Sequence, residues 1–277
     1  MSGSVSSPFQ PNLLAGKTAL ITGAGSGLGR AMAHAFSRQN WSVAVADINI
    51  EAGQKVVAEI QADGGEAFFQ ACDVRDETDL QQLCERCLNQ WQGIGVLINN
   101  AGVVSSLGST ELTPLSEWQR LLDINLLGVV RGCAAFTPTF KAQQGGHIVN
   151  IASIAGISSL PKFANYNASK AAVISLSETL RIELSQKNIG VTVVCPSLFK
   201  TNLPDSMVNP REGQHEKVSQ AMERSSISAD DIAQKVVKAV NKNQFYLLPH
   251  KHTWLVWWLK RLSFRLYESI MMRWPIA

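Results

Sequence analysis

The sequence predicts a doubly wound α/β fold, in which helices cover both faces of a parallel sheet, followed by an amphipathic C-terminal extension. Short apolar segments rich in β-branched residues alternate along the chain with longer segments whose apolar residues recur at helical spacing. Several short segments are apolar throughout, which is typical of strands covered on both faces. The 277 residues are 45% hydrophobic and 17% charged, a composition that indicates a globular chain with a large core.

Each predicted strand is short and is separated from the next by a turn or a helical segment. The strands are Lys17–Thr22, Ser42–Asp47, Ala67–Cys72, Ile94–Asn99, His147–Ser153, Val191–Cys195 and Gln244–Leu248. The helices are Gly27–Arg38, Ile50–Ala62, Glu77–Trp91, Leu115–Gln143, Phe163–Lys187 and Ala229–Asn241. We therefore expect residues 1–250 to form one Rossmann-type domain, with residues 251–277 as the extension. Within the domain, Pro196–Ser228 is polar and irregular except for an amphipathic piece near Glu216–Arg224, which suggests a lid or binding loop.

Charge, cysteine content and targeting signals exclude several classes of protein. The net charge of +3 is too small to indicate nucleic-acid binding. The five cysteines are odd in number and scattered, and Cys84-x-x-Cys87 falls inside a predicted helix, so we expect neither a disulfide framework nor a metal site. No run of about 18 uninterrupted apolar residues predicts a membrane span. Met1–Gln10 lacks the basic and apolar parts of a secretory signal, and we expect a cytoplasmic protein.

A glycine-rich turn joins the first predicted strand to the first predicted helix. Glycines allow a tight turn and a close approach of the backbone to a pyrophosphate, while the helix N-terminus directs free N–H groups at it. No Gly-Lys-Ser/Thr follows, which excludes the mononucleotide P-loop. The turn therefore predicts a dinucleotide site, with contacts from Gly23, Ser26, Gly27, Leu28 and Gly29.

The acidic residue at the end of the second strand predicts which dinucleotide binds. Asp47 lies eighteen residues beyond Gly29, where a carboxylate accepts hydrogen bonds from the adenosine ribose and repels a 2′-phosphate. Neither Ser26 nor Ile48 offers a basic side chain that could neutralise that phosphate. NAD is therefore favoured over NADP. Arg30 lies just beyond the turn, and we expect it to face solvent.

Three polar residues further along the chain predict acid–base chemistry. Tyr166 and Lys170 are four residues apart in a predicted helix, so both project from one face. A phenol is a poor base at neutral pH, and we expect the ammonium of Lys170 and the charge of an oxidised nicotinamide to lower the pKa of Tyr166. Ser153, at the end of a predicted strand, is expected to hold the substrate oxygen near Tyr166.

Taken together, these motifs resemble the classical members of the short-chain dehydrogenase/reductase family between about Leu14 and Leu248. The matching motifs, in order, are Thr22-Gly23-x-x-x-Gly27-x-Gly29, Asp73-Val74, Asn99-Asn100-Ala101-Gly102, Asn125, Ser153, Tyr166-x-x-x-Lys170 and Pro196 with Thr201. The resemblance implies that Lys170 also binds the nicotinamide ribose and that Asn125 holds a water in a proton relay toward Lys170. It further implies cofactor contacts from Asp73, Val74, Asn100, Ala101, Gly102, Pro196 and Thr201. The chain departs from the family at Ser197, where glycine is common.

The C-terminal extension combines apolar, aromatic and basic residues. It carries five Lys/Arg against one Glu, a net charge of +4, and four of the seven tryptophans. On a helical projection, Lys260, Arg261, Arg265 and Glu268 lie on one face, and Trp254, Trp257 and Phe264 lie outside the apolar stripe. The stripe itself consists of Leu255, Val256, Leu259, Leu262, Leu266, Tyr267 and Ile270. Such a segment is typical of an interfacial helix on an anionic membrane, but packing on a neighbouring subunit or roofing the substrate pocket fits equally well.

The predicted function is hydride transfer between NAD(H) and an alcohol or carbonyl compound. A membrane-bound extension would suit a lipophilic substrate such as a long-chain alcohol, a fatty aldehyde or a sterol, and family members commonly form homodimers or homotetramers. Pocket walls are expected from Ala155–Phe163 and Pro196–Ser228. One alternative is a 3-oxoacyl-thioester reductase, which would prefer NADPH and could use Lys200 and Arg211 at the pocket rim. Another is an NAD-binding sensor or scaffold without activity.

Overall fold

The computed structural model describes residues 16–201, 203–207 and 212–272. Their seven strands form one parallel sheet in the order β3-β2-β1-β4-β5-β6-β7, which confirms the predicted doubly wound fold. The strands are β1 (Thr18–Thr22), β2 (Ser42–Asp47), β3 (Ala67–Ala71), β4 (Val96–Asn99), β5 (Gly146–Ile151), β6 (Ile189–Val194) and β7 (Tyr246–Leu247). The strand order reverses between β1 and β4, and this switch point opens a crevice at the carboxyl ends of the strands.

Helices cover both faces of the sheet and bury two separate apolar layers against it. In chain order they are α1 (Gly27–Ser37), α2 (Ile50–Ala62), α3 (Glu77–Trp91), α4 (Leu115–Leu122), α5 (Gly128–Ala142), α6 (Ala164–Glu183), α7 (Gln214–Glu223), α8 (Ala229–Asn241), α9 (Lys251–Leu262) and α10 (Phe264–Met271). The central strands β1, β4, β5 and β6 are buried along their whole length, as their continuous apolar runs predict.

The long helix predicted over Leu115–Gln143 contains a π-helical segment, Asp123–Leu127, between α4 and α5. This segment widens the helix by one residue per turn and turns Asn125 into the protein interior. By length and composition alone, the helical stretch Leu115–Ala142 could cross a membrane, contrary to our expectation that no segment would. Its buried residues pack on the sheet through Val129, Phe136 and Phe140, as in the core helix of a folded domain.

The C-terminal extension differs from the single helical stripe predicted for it. The chain breaks at Ser263, whose extended backbone ends α9 and whose hydroxyl accepts a hydrogen bond from Leu266 N–H at the start of α10. The predicted stripe is therefore divided, since Tyr267 is buried whereas Leu255 and Leu262 are 70% and 78% exposed. Lys260, predicted on the charged outer face, is partly buried instead. Residues 273–277, including Trp274, lie outside the described residues.

Candidate active site

A cavity of about 1040 Å³ opens at the carboxyl ends of the strands, at the switch point between β1 and β4. It is lined by Ser153 and by every residue that the sequence predicts to contact the cofactor: Gly23, Ser26, Gly27, Leu28, Gly29, Asp47, Asp73, Val74, Asn100, Ala101, Gly102, Tyr166, Lys170, Pro196 and Thr201. Residues as far apart in the chain as Gly23 and Thr201 therefore meet in one crevice, where α/β proteins of this topology bind ligands.

The glycine-rich turn is packed too closely for larger residues. Gly27 adopts a φ of +50°, and a Cβ there would lie 2.7 Å from Thr201 Oγ1. A Cβ on Gly29 would lie 2.1 Å from the carbonyl oxygen of Gly23. Ser26 occupies the N-cap position of α1, but its side chain caps no N–H of the first turn. The first turn thus keeps N–H groups for an anion, and the turn fits the phosphates of a dinucleotide.

The carboxylate of Asp47 is held in place beside this turn. Its Oδ2 accepts a hydrogen bond from Gly25 N–H at 2.7 Å, and its Oδ1 accepts one from Asn49 N–H at 2.8 Å. Arg30 turns away from the site, because its guanidinium pairs with Glu59 on α2 at 2.8 Å. Arg30 is therefore paired outside the site and is exposed to solvent, as expected from the sequence.

Asn100 and Asp73 occupy different parts of the same wall. The amide of Asn100 donates hydrogen bonds to the carbonyl oxygens of Thr22 and Gly23, at 2.8 and 3.0 Å, and so ties the end of β4 to the glycine-rich turn. Asp73 forms a bidentate pair with Arg75, whose hydrogen bonds lower the pKa of that carboxyl. Arg75 also lines the cavity, and the sequence analysis missed it.

Ser153, Tyr166 and Lys170 converge at the centre of the cavity. Ser153 follows β5, while Tyr166 and Lys170 lie one turn apart on α6. The side chain of Ser153 is near enough to Tyr166 to lower the pKa of its phenol, and Lys170 Nζ lies 5.9 Å from the centroid of the Tyr166 ring. Lys170 Nζ also donates to the carbonyl oxygen of Ile151 at 2.9 Å, which holds the ammonium beside the sheet. The three side chains can therefore act on one substrate oxygen.

Burial shifts the pKa values of Tyr166 and Lys170 in opposite directions. Burial raises the pKa of Tyr166 to about 12, although the nearby side chain of Ser153 lowers it. Burial also lowers the pKa of Lys170 to about 8. The expected lowering of the Tyr166 pKa involves the ammonium of Lys170 together with the charge of an oxidised nicotinamide, and it stays a prediction.

Asn125 is the one predicted catalytic residue that does not line the cavity. It is fully buried in the π-helical segment. Its Oδ1 accepts from Val103 N–H and its Nδ2 donates to Val103 O, both at 2.8 Å. The side chain therefore supports the backbone just after Gly102, within reach of Lys170, rather than presenting free polar atoms to the cavity. A relay through Asn125 stays a prediction.

The other part of the cavity has apolar walls from four regions of the chain. The two regions expected from the sequence, Ala155–Phe163 and Pro196–Ser228, both contribute. The sequence analysis missed the loop after β4 and left the position of the C-terminal segment open among three alternatives. The structure supports the alternative in which this segment covers the substrate pocket, because α9 and α10 supply wall residues. Apolar lining residues include Val104, Leu107, Phe163, Met222, Val256 and Met271.

Comparison with known proteins identifies a family for most of the chain. The model of the short chain dehydrogenase family matches residues 17–212. The probable oxidoreductase EphD of Mycobacterium tuberculosis is 34% identical over 233 residues, which are 81% of this chain but 39% of that protein's length. The cyclohexanol dehydrogenase of an Acinetobacter species is 38% identical over 187 residues, covering 68% of this chain and 74% of the relative.

Solved structures share the fold over almost the whole chain. A short chain dehydrogenase/reductase from Burkholderia phymatum, in complex with NAD, has a TM-score of 0.85 and 30% identity, covering 91% of this chain and 95% of its own. A 3-ketoacyl-(acyl-carrier-protein) reductase from Brucella melitensis, complexed with NADH, has a TM-score of 0.74 and 28% identity. It covers 84% of this chain and 96% of its own length.

Proposed function

The chain belongs to the short-chain dehydrogenase/reductase family, and on that premise we propose that it is an oxidoreductase that interconverts an alcohol and a carbonyl compound with NAD(H). The observation that carries the proposal is the convergence of Ser153, Tyr166 and Lys170 in the cavity that the glycine-rich turn also lines. Acid–base residues and a phosphate-binding turn in one crevice are what hydride transfer to a bound dinucleotide requires.

The residues present fit the dinucleotide. The glycine-rich turn and the N-terminus of α1 would hold the pyrophosphate, Asp47 the adenosine ribose, and Lys170 the nicotinamide ribose. When bound, the cofactor supplies the hydride acceptor or donor and, in its oxidised form, a positive charge. The fixed carboxylate of Asp47 supports NAD over NADP, as do the NAD and NADH complexes of the two similar structures.

The protein's own groups would move the proton. Ser153 donates a hydrogen bond to the substrate oxygen and keeps it near Tyr166. During oxidation the Tyr166 phenol, in its ionised form, takes the proton of the substrate hydroxyl, and during reduction it returns a proton to the carbonyl oxygen. The ammonium of Lys170 favours the phenolate against the burial that raises the pKa of Tyr166, and exclusion of water strengthens that attraction.

The proposed substrate is lipophilic. The walls around Tyr166 are mainly apolar. Among the lysines and arginines that line the cavity, Lys170 is buried, whereas Arg75, Lys162, Lys217 and Arg224 are exposed. A pocket of this kind favours an aliphatic or alicyclic alcohol over a charged one, since burial of apolar surface provides most of the binding free energy. The similarity to a cyclohexanol dehydrogenase supports the same class, and long-chain alcohols, aldehydes and sterols extend it to larger members.

A panel of alcohols tests this function directly. The purified chain should reduce NAD in the presence of cyclic or long-chain alcohols, seen as NADH absorbance, with kcat/KM rising as apolar atoms are added until the cavity is full. Binding of NADH without turnover of any alcohol or carbonyl would instead support the catalytically inactive NAD-binding sensor or scaffold.

The alternative enzyme is a 3-oxoacyl-thioester reductase. The similarity to the Brucella melitensis reductase, itself complexed with NADH, favours it. So do the exposed cations Lys217 and Arg224 among the lining residues, which could contact a phosphorylated carrier arm. Lys200, the other predicted rim residue, is exposed, while Arg211 lies outside the described residues. Faster turnover of an acetoacetyl thioester than of any alcohol would establish this alternative.

We propose further that the outer face of α9 and α10 contacts an anionic membrane surface. This face exposes large apolar side chains beside the basic residues Lys251, Arg261 and Arg265. Apolar groups interleaved with cations are characteristic of interfacial helices. The exposed apolar residues are Trp254, Leu255, Trp258, Leu262, Phe264, Leu266, Ile270 and Met272.

Flotation with lipid vesicles should detect this contact. We expect the chain to float with vesicles rich in phosphatidylglycerol, less so at high salt, and not with pure phosphatidylcholine. The double change Leu255→Glu and Leu262→Glu should abolish flotation. The double change Leu112→Glu and Leu115→Glu, at comparably exposed apolar sites near the start of α4, is the matched control and should leave flotation unchanged. Failure of the unaltered chain to bind anionic vesicles would refute the membrane proposal.

Assembly and location complete the proposal. Three apolar side chains are exposed on the long helices: Leu127 at the end of the π-helical segment, Val130 on α5 and Ile182 on α6. They support the pairing of two or four copies of the chain through these helices. Sedimentation of the purified chain measures that state directly. We propose a cytoplasmic enzyme that associates with a membrane surface, and fractionation of cells that express it tests this location.

A further inference from the structure

Two histidines contact Ser197, the residue in which this chain departs from its family: His250, which directly precedes α9, and His252 on α9. The backbone N–H of Ser197 donates to His250 Nδ1 at 3.2 Å, and Ser197 Oγ lies 3.2 Å from His252 Nε2. His250 is 5% exposed, whereas His252 is exposed at the cavity wall. Ser197 is therefore contacted through its backbone by His250, 53 residues later in the chain, and through its hydroxyl by His252, 55 residues later.

This contact lies on the turn that follows β6 and lines the cavity. The carbonyl oxygen of Pro196 accepts a hydrogen bond from Ile154 N–H at 2.8 Å, and Ile154 directly follows Ser153. The loop that carries Ser153 therefore holds the Pro196–Ser197 turn on one side, while the two histidines hold it on the other. Any shift of the turn would change the wall between Ser153 and Thr201, both of which line the cavity.

The histidines are themselves held in place. Lys235 on α8 donates to the carbonyl oxygen of Pro249 at 2.8 Å, and Thr253 donates from its N–H and its hydroxyl to the carbonyl oxygen of His250. Further along the segment, Lys260 Nζ donates to Ile157 O at 2.7 Å and Tyr267 Oη accepts from Ser159 N–H at 2.7 Å. The C-terminal segment thus spans the cavity between the two loops that form its walls.

We propose that His250 and His252 are positioning residues for the nicotinamide end of the dinucleotide, acting through the Pro196–Ser197 turn. The proposal rests on the NAD-dependent function argued above, in which this turn adjoins the hydride-transfer site. The extra hydroxyl of Ser197, absent where the family has glycine, gives the C-terminal segment a second attachment to the turn. The segment is then part of the cofactor site as well as the roof of the substrate pocket.

The contact with His250 requires a neutral imidazole, because only an unprotonated Nδ1 accepts a hydrogen bond. Burial lowers the pKa of His250 below its ordinary value, and the neighbouring charges of His252 and Lys235 act in the same direction. The ring is therefore neutral at physiological pH, and Nδ1 stays available to Ser197 N–H.

Binding measurements with two ligands test the role of His250. In His250→Leu the acceptor is lost, and we expect the dissociation constant for NADH to rise about five- to tenfold, as for one buried hydrogen bond. ADP-ribose, which lacks the nicotinamide, should bind as before. His250→Asn places Oδ1 near the position of Nδ1 and should restore NADH binding to within about twofold.

Several outcomes would overturn the proposal. Equal weakening of NADH and ADP-ribose would indicate a general structural role, and an Asn variant as weak as the Leu variant would exclude the hydrogen bond. If His250→Leu does not fold, His252→Ala and Ser197→Gly test the second contact: each should weaken NADH binding, and their combination should add nothing to the stronger one. Additive effects would refute coupling through Ser197. These are binding assays, so absence of alcohol turnover would contradict the proposed function and not this inference.

Discussion

Replacing Tyr166 by Phe should lower kcat by about 10²- to 10⁴-fold and leave the dissociation constant for NADH within about twofold of its original value. The change removes the hydroxyl that exchanges a proton with the substrate oxygen but keeps the ring, which packs against Phe163 and Val104 in a small apolar cluster. The stability of the fold should therefore change little, and the loss should appear in kcat rather than in cofactor binding.

Turnover under saturating NAD, with NADH binding followed by fluorescence, separates the two effects. The chain has three tyrosines, and Tyr246→Phe provides the matched control. Its hydroxyl is bonded to Glu178 outside the cavity, so its loss should leave turnover unchanged. Retention of more than about a tenth of the activity in Tyr166→Phe would show that another group transfers the proton.

Replacing Asp47 by Asn should reduce the ratio of kcat/KM for NAD to that for NADP by about ten- to a hundredfold. Asn removes the charge that repels a 2′-phosphate and weakens acceptance from the ribose hydroxyls. It keeps an oxygen for Gly25 N–H, which Asp47 now binds at 2.7 Å, so the glycine-rich turn should hold its shape. Asp47→Ala should also reduce the ratio of kcat/KM for NAD to that for NADP. This variant would, however, also lose the hydrogen bond with Gly25 N–H.

Initial rates with each cofactor give the ratio, and Asp63→Asn serves as the control because Asp63 is an exposed carboxylate at the end of α2 that does not line the cavity. Only the change at Asp47 should alter the cofactor preference. An unchanged ratio in Asp47→Asn would show that the adenosine ribose binds elsewhere.

Much of the site could be predicted because its parts are local in sequence. The glycine-rich turn requires only a strand, a turn and a helix in succession, and Tyr166 and Lys170 need only helical spacing to share a face. Helical spacing alone did not show the π-helical segment, which directs the side chain of Asn125 toward Val103. The pKa of Tyr166 also depends on how completely the fold buries the phenol, which spacing along a helix does not report.

The C-terminal segment shows most clearly what sequence periodicity does not predict. Its apolar and basic pattern left a membrane, a neighbouring subunit and the pocket as equal alternatives, and a helical projection assumed one unbroken helix. Ser263 divides that helix, and Lys260 reaches a carbonyl oxygen 103 residues earlier in the chain. No periodicity encodes such a contact, because periodicity reports only neighbours along one helix or strand.

The doubly wound fold, the dinucleotide-binding turn and the pair of Tyr166 and Lys170 were predictable, because each follows from backbone geometry over a few residues. The strand order, the hydrogen bond from Lys260 to Ile157 and the attachment of His250 and His252 to Ser197 became apparent only in the three-dimensional structure. These depend on which distant surfaces bury the most apolar area together, a free energy that belongs to the whole chain rather than to any segment of it.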